Sequence, residues 1–416
     1  MHHTRADFKL LPFAVSFSVF LFFALLVSVP RGYTIGALLL FLCSVGFLAR
    51  RPSLILNRED KLLVWLLFAV FFAGLLSFLF HGNPARSLDL PSRFLFAVPI
   101  LLLLLHVRLK ACWLWAGLIA GSISGAGLAF WQRYIAESKR AVGFTGVIQF
   151  GDLALMLAVF CSAGLIWTAC TGRCRRYWQV ALAAGALAGG FGSIASGTRG
   201  GWVAIPVIFL LFCIALINKR NIKRVAISAT IVCAALATVA TTVPTIEKRY
   251  HDTVSDIQNY QRGNADTSIG ARFALWEAML IMIPQKPLLG WSATDYKSEL
   301  RRLVETEEAD PVVLNLANTH NSYIELWVFQ GLVGLLAVLA LMAASFVGFC
   351  RRLRSVNRYV QALALSGATL VGAYSIFSMS QIMLGRNNTL LFFLVSLIIL
   401  WAAMRHEERS SALSHS

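Results

Sequence analysis

Apolar runs long enough to cross a membrane recur along almost the whole chain, separated by short polar turns and by one long polar interval. A hydrocarbon layer about 30 Å thick offers no partner to a bare peptide group, so a crossing segment folds as a helix of roughly 20 mainly apolar residues. About twelve runs fit: Phe8–Val29, Tyr33–Leu48, Lys61–Phe80, Phe94–Val107, Ala111–Trp131, Ile148–Cys170, Trp178–Ser196, Trp202–Ile217, Val225–Val243, Tyr323–Cys350, Val360–Ile382 and Thr389–Met404. The fourth is the shortest and is centred on Pro99, which reads as a broken or tilted span. The first has too long an apolar core for a cleaved signal peptide, and no small-residue cleavage site precedes Arg31, so it too reads as a span.

The polar interval, Pro244 to Asn321, reads as several short helices lying on the membrane surface. Gly270 to Ile283 carries Phe273, Trp276, Leu280 and Ile283 at helical spacing, so one face is expected to sink into the interface. Lys286-Pro287-Leu288-Leu289-Gly290 is a turn, after which Ser292 caps a polar helix running to about Glu308. The fold class is therefore an all-α polytopic membrane protein: nine spans in residues 1–243, a loop at 244–321, three spans in 322–405 and a tail at 406–416.

Composition agrees: 58% of the residues are hydrophobic and 14% charged, with mean hydropathy +0.70. The net charge of +17 reads as topology once the basic residues are placed. With the N-terminus inside, the inner segments hold 21 Lys and Arg, the short outer turns eight and the long loop eight. Both termini are thus expected in the cytoplasm, and no nucleic-acid partner is needed. The eight cysteines, Cys43, Cys112, Cys161, Cys170, Cys174, Cys213, Cys233 and Cys350, lie in spans or at their inner ends, which argues against a disulfide framework. No CxxC or His-rich cluster suggests a metal.

Polar chemistry gathers at the outer rim. Arg199 lies in the glycine-rich turn Ser196-Gly197-Thr198-Arg199-Gly200-Gly201, where glycines admit close approach and a guanidinium fork binds two phosphate oxygens; the plain alternative is an arginine snorkelling to headgroups. Arg272 opens the amphipathic segment, either as a solvated helix-start residue, as a partner for Glu277, or facing an anion. His320, in Asn318-Thr319-His320-Asn321-Ser322-Tyr323, stands at the mouth of the tenth span, where a helix N-terminus opposes protonation and favours a neutral base; a headgroup contact is the alternative. Lys139, Arg140 and Gln149, around Gly143 and Gly146, form either a solvated basic turn or a further binding group. The acidic stretch Glu305, Glu307, Glu308 and Asp310 reads as solvated. Gly331 and Gly334 read as close helix packing.

Ser196-Gly197-Thr198-Arg199-Gly200, then Arg272-Phe273-Ala274-Leu275-Trp276 through Pro287-Leu288-Leu289-Gly290-Trp291, then His320-Asn321-Ser322-Tyr323-Ile324-Glu325 followed by Gln330-Gly331-Leu332-Val333-Gly334-Leu335 together resemble the O-antigen ligase and polymerase superfamily of bacterial membrane glycosyltransferases. The resemblance implies an inner-membrane enzyme that moves a glycan en bloc from undecaprenyl pyrophosphate, on the periplasmic face. It implies His320 as base, Arg199 and Arg272 on the pyrophosphate, and Asn321, Tyr323, Lys139, Arg140 and Gln149 as possible substrate contacts, with no metal or cofactor. The single long outer loop favours a ligase, whose acceptor is the lipid A core, over a polymerase or a protein O-oligosaccharyltransferase. A lipid-linked glycan exporter is the rival from another class. Transporters place ionisable groups near the bilayer midplane, where these runs have almost none.

Cysteine labelling tests the topology. Cysteines introduced at Arg175 and Arg354 should react only from the cytoplasm, and at Asp256 and Glu307 only from outside; labelling of Asp256 from the inside overturns the assignment.

Overall fold

Every stretch of backbone in hydrocarbon must close its own hydrogen bonds, and the chain does so with helices. The computed structural model describes residues 7–198, 200–217 and 254–413, and among these every regular element is helical. The principal helices are α1 (Asp7–Ala24), α2 (Gly32–Leu48), α3 (Arg58–His81), α4 (Asp89–His106), α5 (Ala111–Phe130), α6 (Val147–Trp167), α7 (Arg175–Ser196), α8 (Ile205–Leu216), α9 (Gly270–Met282), α10 (Ala293–Glu305), α11 (Ser322–Cys350), α12 (Arg358–Ser380) and α13 (Asn387–Leu413). Among the described residues eight helices are long and apolar enough to cross a membrane, and three shorter apolar helices, Leu10–Ala24, Gly32–Leu48 and Gly200–Leu216, accompany them. Eleven of the twelve expected spans thus coincide with helices among the described residues. The other, Val225–Val243, lies outside them.

The fourth span is neither short nor broken. α4 runs unbroken across Pro99, and it is longer than the apolar run because its first turn, Asp89–Arg93, carries polar residues. The last helix likewise continues past Arg405 to Leu413.

The chain divides into two compact units, one comprising Met1–Leu75, Arg86–Ala215 and Ala337–Ser416, the other Leu76–Ala85 and Leu216–Leu336. In the first, α12 and α13 are the most enclosed helices, with α4 and α6 packed against them and α7, α5, α1 and α2 following in a chain of pairwise contacts. Small residues set the closeness: a Cβ on Gly121 would lie 2.1 Å from Phe23 O, and one on Gly189 2.7 Å from Ala154 O. At one set of helix ends, fully buried Asp60 accepts from Trp401 Nε1 (3.0 Å) and Arg409 Nη2 (2.8 Å), while Arg352 bonds Glu59 and Glu408. Basic residues there therefore have a second use, as partners that make a buried carboxylate tolerable.

The second unit has its own small core. Ala274, Leu275, Ala278, Met279 and Met282 of α9 pack with Trp291, Leu300, Leu303, Val313 and Val328. Ser292 caps α10 as expected, its hydroxyl accepting from Asp295 N at 3.0 Å, and the helix ends at Glu305, short of Glu308. The expected membrane-facing stripe of α9 does not form as a set, since Ile283 is 7% exposed and Leu280 69%. The side that packs inward carries alanine and methionine, which fit against Trp291.

α11 breaks at Gly331, where φ is 66° and ψ −168°. Gly331 is thus more than the packing glycine expected. The break releases the N–H groups of Leu332 and Val333 and the carbonyls of Val328 and Phe329, and each finds a new partner. Leu332 N donates to Pro287 O (2.8 Å), Val333 N to Leu288 O (3.3 Å), Trp291 N to Val328 O (2.7 Å) and Ser77 Oγ to Phe329 O (2.8 Å). The Lys286–Gly290 turn therefore replaces the missing rungs of the helix, and backbone packs on backbone: a Cβ on Gly331 would stand 2.0 Å from Leu288 O, and one on Gly290 2.4 Å from Val328 O.

Gly331→Ala combines a left-handed φ with an unyielding clash, so it should lower unfolding stability by about 3 kcal/mol or more. Gly190→Ala, which meets open space on α7, should be neutral. A Gly331→Ala thermal midpoint equal to the parent's would refute the docked turn.

Candidate active site

The turn bearing His320 is built from short polar side chains that bond nearby backbone. Asn318 Oδ1 accepts from His320 N (3.1 Å), and Asn321 Oδ1 accepts from Tyr323 N (2.9 Å) and Ile324 N (3.2 Å), making Asn321 the N-cap of α11. Thr319 is fully buried, its hydroxyl donating to Asn321 O at 2.9 Å. Glu325 reaches back one turn to accept from Thr319 N at 3.1 Å, a reciprocal cap of the kind that fixes a helix entry. Held this way, His320 adopts φ 52°. A non-glycine residue in the left-handed region costs of order 1 kcal/mol, and such strain concentrates where a side chain must be aimed.

The α9 helix is tied to this turn through Trp276, whose indole N–H donates to Thr319 O at 2.7 Å. Arg272 lies one helical turn earlier, on the face that Trp276 occupies, since residues four apart are neighbours on a helix surface. It is half-buried, and burial lowers its pKa from the ordinary arginine value. Glu277 does not serve as its partner: that carboxylate is engaged by the Tyr260 hydroxyl, whose pKa is raised by burial first and by Glu277 second. Among the described residues Arg272 makes no ion pair. A guanidinium partly stripped of water, with no carboxylate pairing it among the described residues, has the chemistry to receive an anion.

The other sequence candidates belong to the first unit. Arg199 lies outside the described residues, but its flanking turn is well defined. Gly197 ends α7 with φ 64°, Ser196 Oγ and Thr198 Oγ1 bond each other at 2.8 Å, and a Cβ on Gly201 would stand 2.3 Å from Asp152 Oδ1. Arg140 donates from Nε to Ser196 O (2.9 Å) and from Nη2 to Gly197 O (2.5 Å), so it holds this turn in place. Gln149 is buried; with its amide oriented to satisfy both neighbours, it donates to Thr145 O and accepts from Arg386 Nε, 3.3 Å each. Lys139 is exposed.

Of the acidic stretch, Glu308 pairs with Arg302 at 3.2 Å, and Asp310 caps the turn that follows by accepting from Val312 N at 2.8 Å. Residues that the sequence reading did not single out are Trp276 as a donor, Asn318 as a turn former and Arg386. Asn318 and Asn321 were recoverable in principle, because an asparagine two residues before a bonded N–H is the signature of such turns.

Fold and site together define an all-helical, multi-pass membrane protein with polar groups concentrated at helix ends and in one loop. Residues 183–339 match the family described as O-antigen ligase. Over 152 residues, 36% of each chain, the sequence is 29% identical to a protein of Escherichia coli K12 described as O-antigen ligase. Over 396 residues, 94% of this chain and 98% of the other, it is 28% identical to a Haemophilus influenzae protein described only as uncharacterized. Over residues 183–339 the chain is thus similar to the O-antigen ligase family, which supports a membrane glycosyltransferase of that general type.

Trp276→Phe keeps an aromatic ring beside Phe273 while deleting the donor to Thr319 O. It should cost about 1 kcal/mol of stability and speed amide exchange at residues 319–322. Unchanged exchange there would show that α9 does not hold the turn.

Proposed function

We propose that the protein is an O-antigen ligase, moving a glycan en bloc from undecaprenyl pyrophosphate to the lipid A core at the periplasmic face of the inner membrane, both termini being cytoplasmic. The single observation that carries this reading is the Trp276–Thr319 hydrogen bond, which joins the helix of Arg272, without an ion pair among the described residues, to the turn of His320. An anion-binding group and a candidate base are thereby linked within one unit.

In the proposed reaction the acceptor hydroxyl gives its proton to His320 and attacks the anomeric carbon of the first sugar. The bond from that carbon to the pyrophosphate oxygen breaks, and its electron pair leaves with the lipid pyrophosphate. Arg272 holds the leaving group, and Arg199 is assigned a pyrophosphate contact from its sequence motif alone. One displacement inverts the anomeric centre. Pyrophosphate leaves readily without activation, so neither nucleotide nor metal ion is required. The strained backbone of His320 supports its assignment as base, while Asn321 and Arg140 serve as cap and turn holder.

Transfer by purified protein, with donor, acceptor and chelator present, tests the proposal. His320→Gly, which relieves the left-handed backbone while removing the imidazole, should lower the rate about 10² to 10⁴-fold, as should His320→Gln. Arg199→Lys and Arg272→Lys lack the planar fork and should lose most activity, whereas Arg354→Lys should keep it. A neutral base is needed, so activity should fall as the solution is made acidic enough to protonate an imidazole. Near-parental turnover by His320→Gly would refute the base assignment, and loss of activity in chelator would refute metal independence.

A further inference from the structure

Behind the His320 turn, α10 and the segment leading to α11 enclose a cleft of about 480 Å³, within the roughly 300–1,000 Å³ usual for ligand sites. Three cations lie on α10. Arg302 is ion-paired with Glu299 and Glu308, whereas Lys297 and Arg301, four residues apart and so on one face, line the cleft and make no ion pair among the described residues. Asn315, Asn318 and Glu325 line the same cleft. Tyr296 and Phe329, with ring centroids 4.9 Å apart, supply an apolar wall.

This set of groups specifies its occupant. Two unpaired cations ask for negative charge, a carboxylate and two amides ask for hydroxyl groups, and an aromatic wall suits the apolar face of a sugar ring. We propose that the cleft is a subsite for an acidic saccharide, one bearing phosphate or carboxylate, with Lys297 and Arg301 binding the charge and Asn315, Asn318 and Glu325 the hydroxyls. The acceptor is the source favoured by position. Asn318 bonds the N–H of His320, and Glu325 bonds the N–H of Thr319, so a sugar held by these side chains lies beside the proposed base. Naming the acceptor rests on the transferase reading; the anionic specificity does not.

Binding can be measured without donor. The probes are a lipid-free core oligosaccharide carrying phosphomonoesters and the same oligosaccharide after phosphatase treatment, titrated calorimetrically into the full chain in nanodiscs. The phosphorylated form should bind at least tenfold more tightly. Lys297→Gln with Arg301→Gln should erase that difference, and Arg302→Gln should preserve it. Equal binding of the two forms, no binding, or discrimination that survives the double variant would overturn the subsite. In transfer assays the double variant should raise KM for the phosphorylated acceptor about tenfold with kcat within twofold; a change confined to the KM of an acidic donor glycan would overturn the acceptor assignment. Discriminating binding with no transfer to any acceptor would instead sink the transferase reading and leave the saccharide site standing.

Discussion

A peptide group in hydrocarbon has no water to turn to, so a break in a membrane helix persists only when other atoms take over each released donor and acceptor. The break at Gly331 meets that demand with four bonds, three from the 287–291 backbone and one from Ser77. Everything distinctive about the second unit follows from this docking. Trp291, held by its own backbone bond to Val328, enters the core that α9 and α10 share. The loop is thereby fastened to the start of α11 at two levels, the turn at 286–290 and the His320 turn above it.

That fastening would let a loop carry the proposed chemistry. A catalytic group must be aimed to fractions of an ångström, and loops ordinarily lack the packing for it. Here the aim comes from backbone capping: Asn318, Thr319, Asn321 and Glu325 each bond the main chain within one turn of His320, and Trp276 fixes the remaining carbonyl. The left-handed backbone of His320 is what these bonds jointly impose.

Most of the spans were legible in the sequence because desolvating twenty apolar residues leaves the chain one solution. The exception around Pro99 shows the limit of that reasoning: α4 begins in Asp89–Arg93, where helix and hydrophobicity part company. Ser292 was legible as a cap because capping is local. The inward side of α9 was not, because in the sequence the large apolar residues at helical spacing point to the interface, whereas small residues bury best where two surfaces must come close. Gly331 was read as packing for a similar reason. A helical glycine and a glycine at a break look alike until the turn that fills the break, some forty residues earlier, is seen beside it. Of the candidate site, the sequence offers residue types and motifs, whereas the hydrogen bonds that hold the His320 turn depend on contacts with α9 that no motif spells out.

The docked turn also bears on the order in which the chain is made. Pro287, Leu288 and Trp291 precede α11 along the sequence, so the groups that complete the break at Gly331 are synthesised before the helix that needs them. Until those groups are in position, the first turns of α11 have two donors and two acceptors with no permanent partner. Insertion of this helix is therefore coupled to the folding of the loop that precedes it, and a chain whose loop has misfolded carries the fault into the membrane itself.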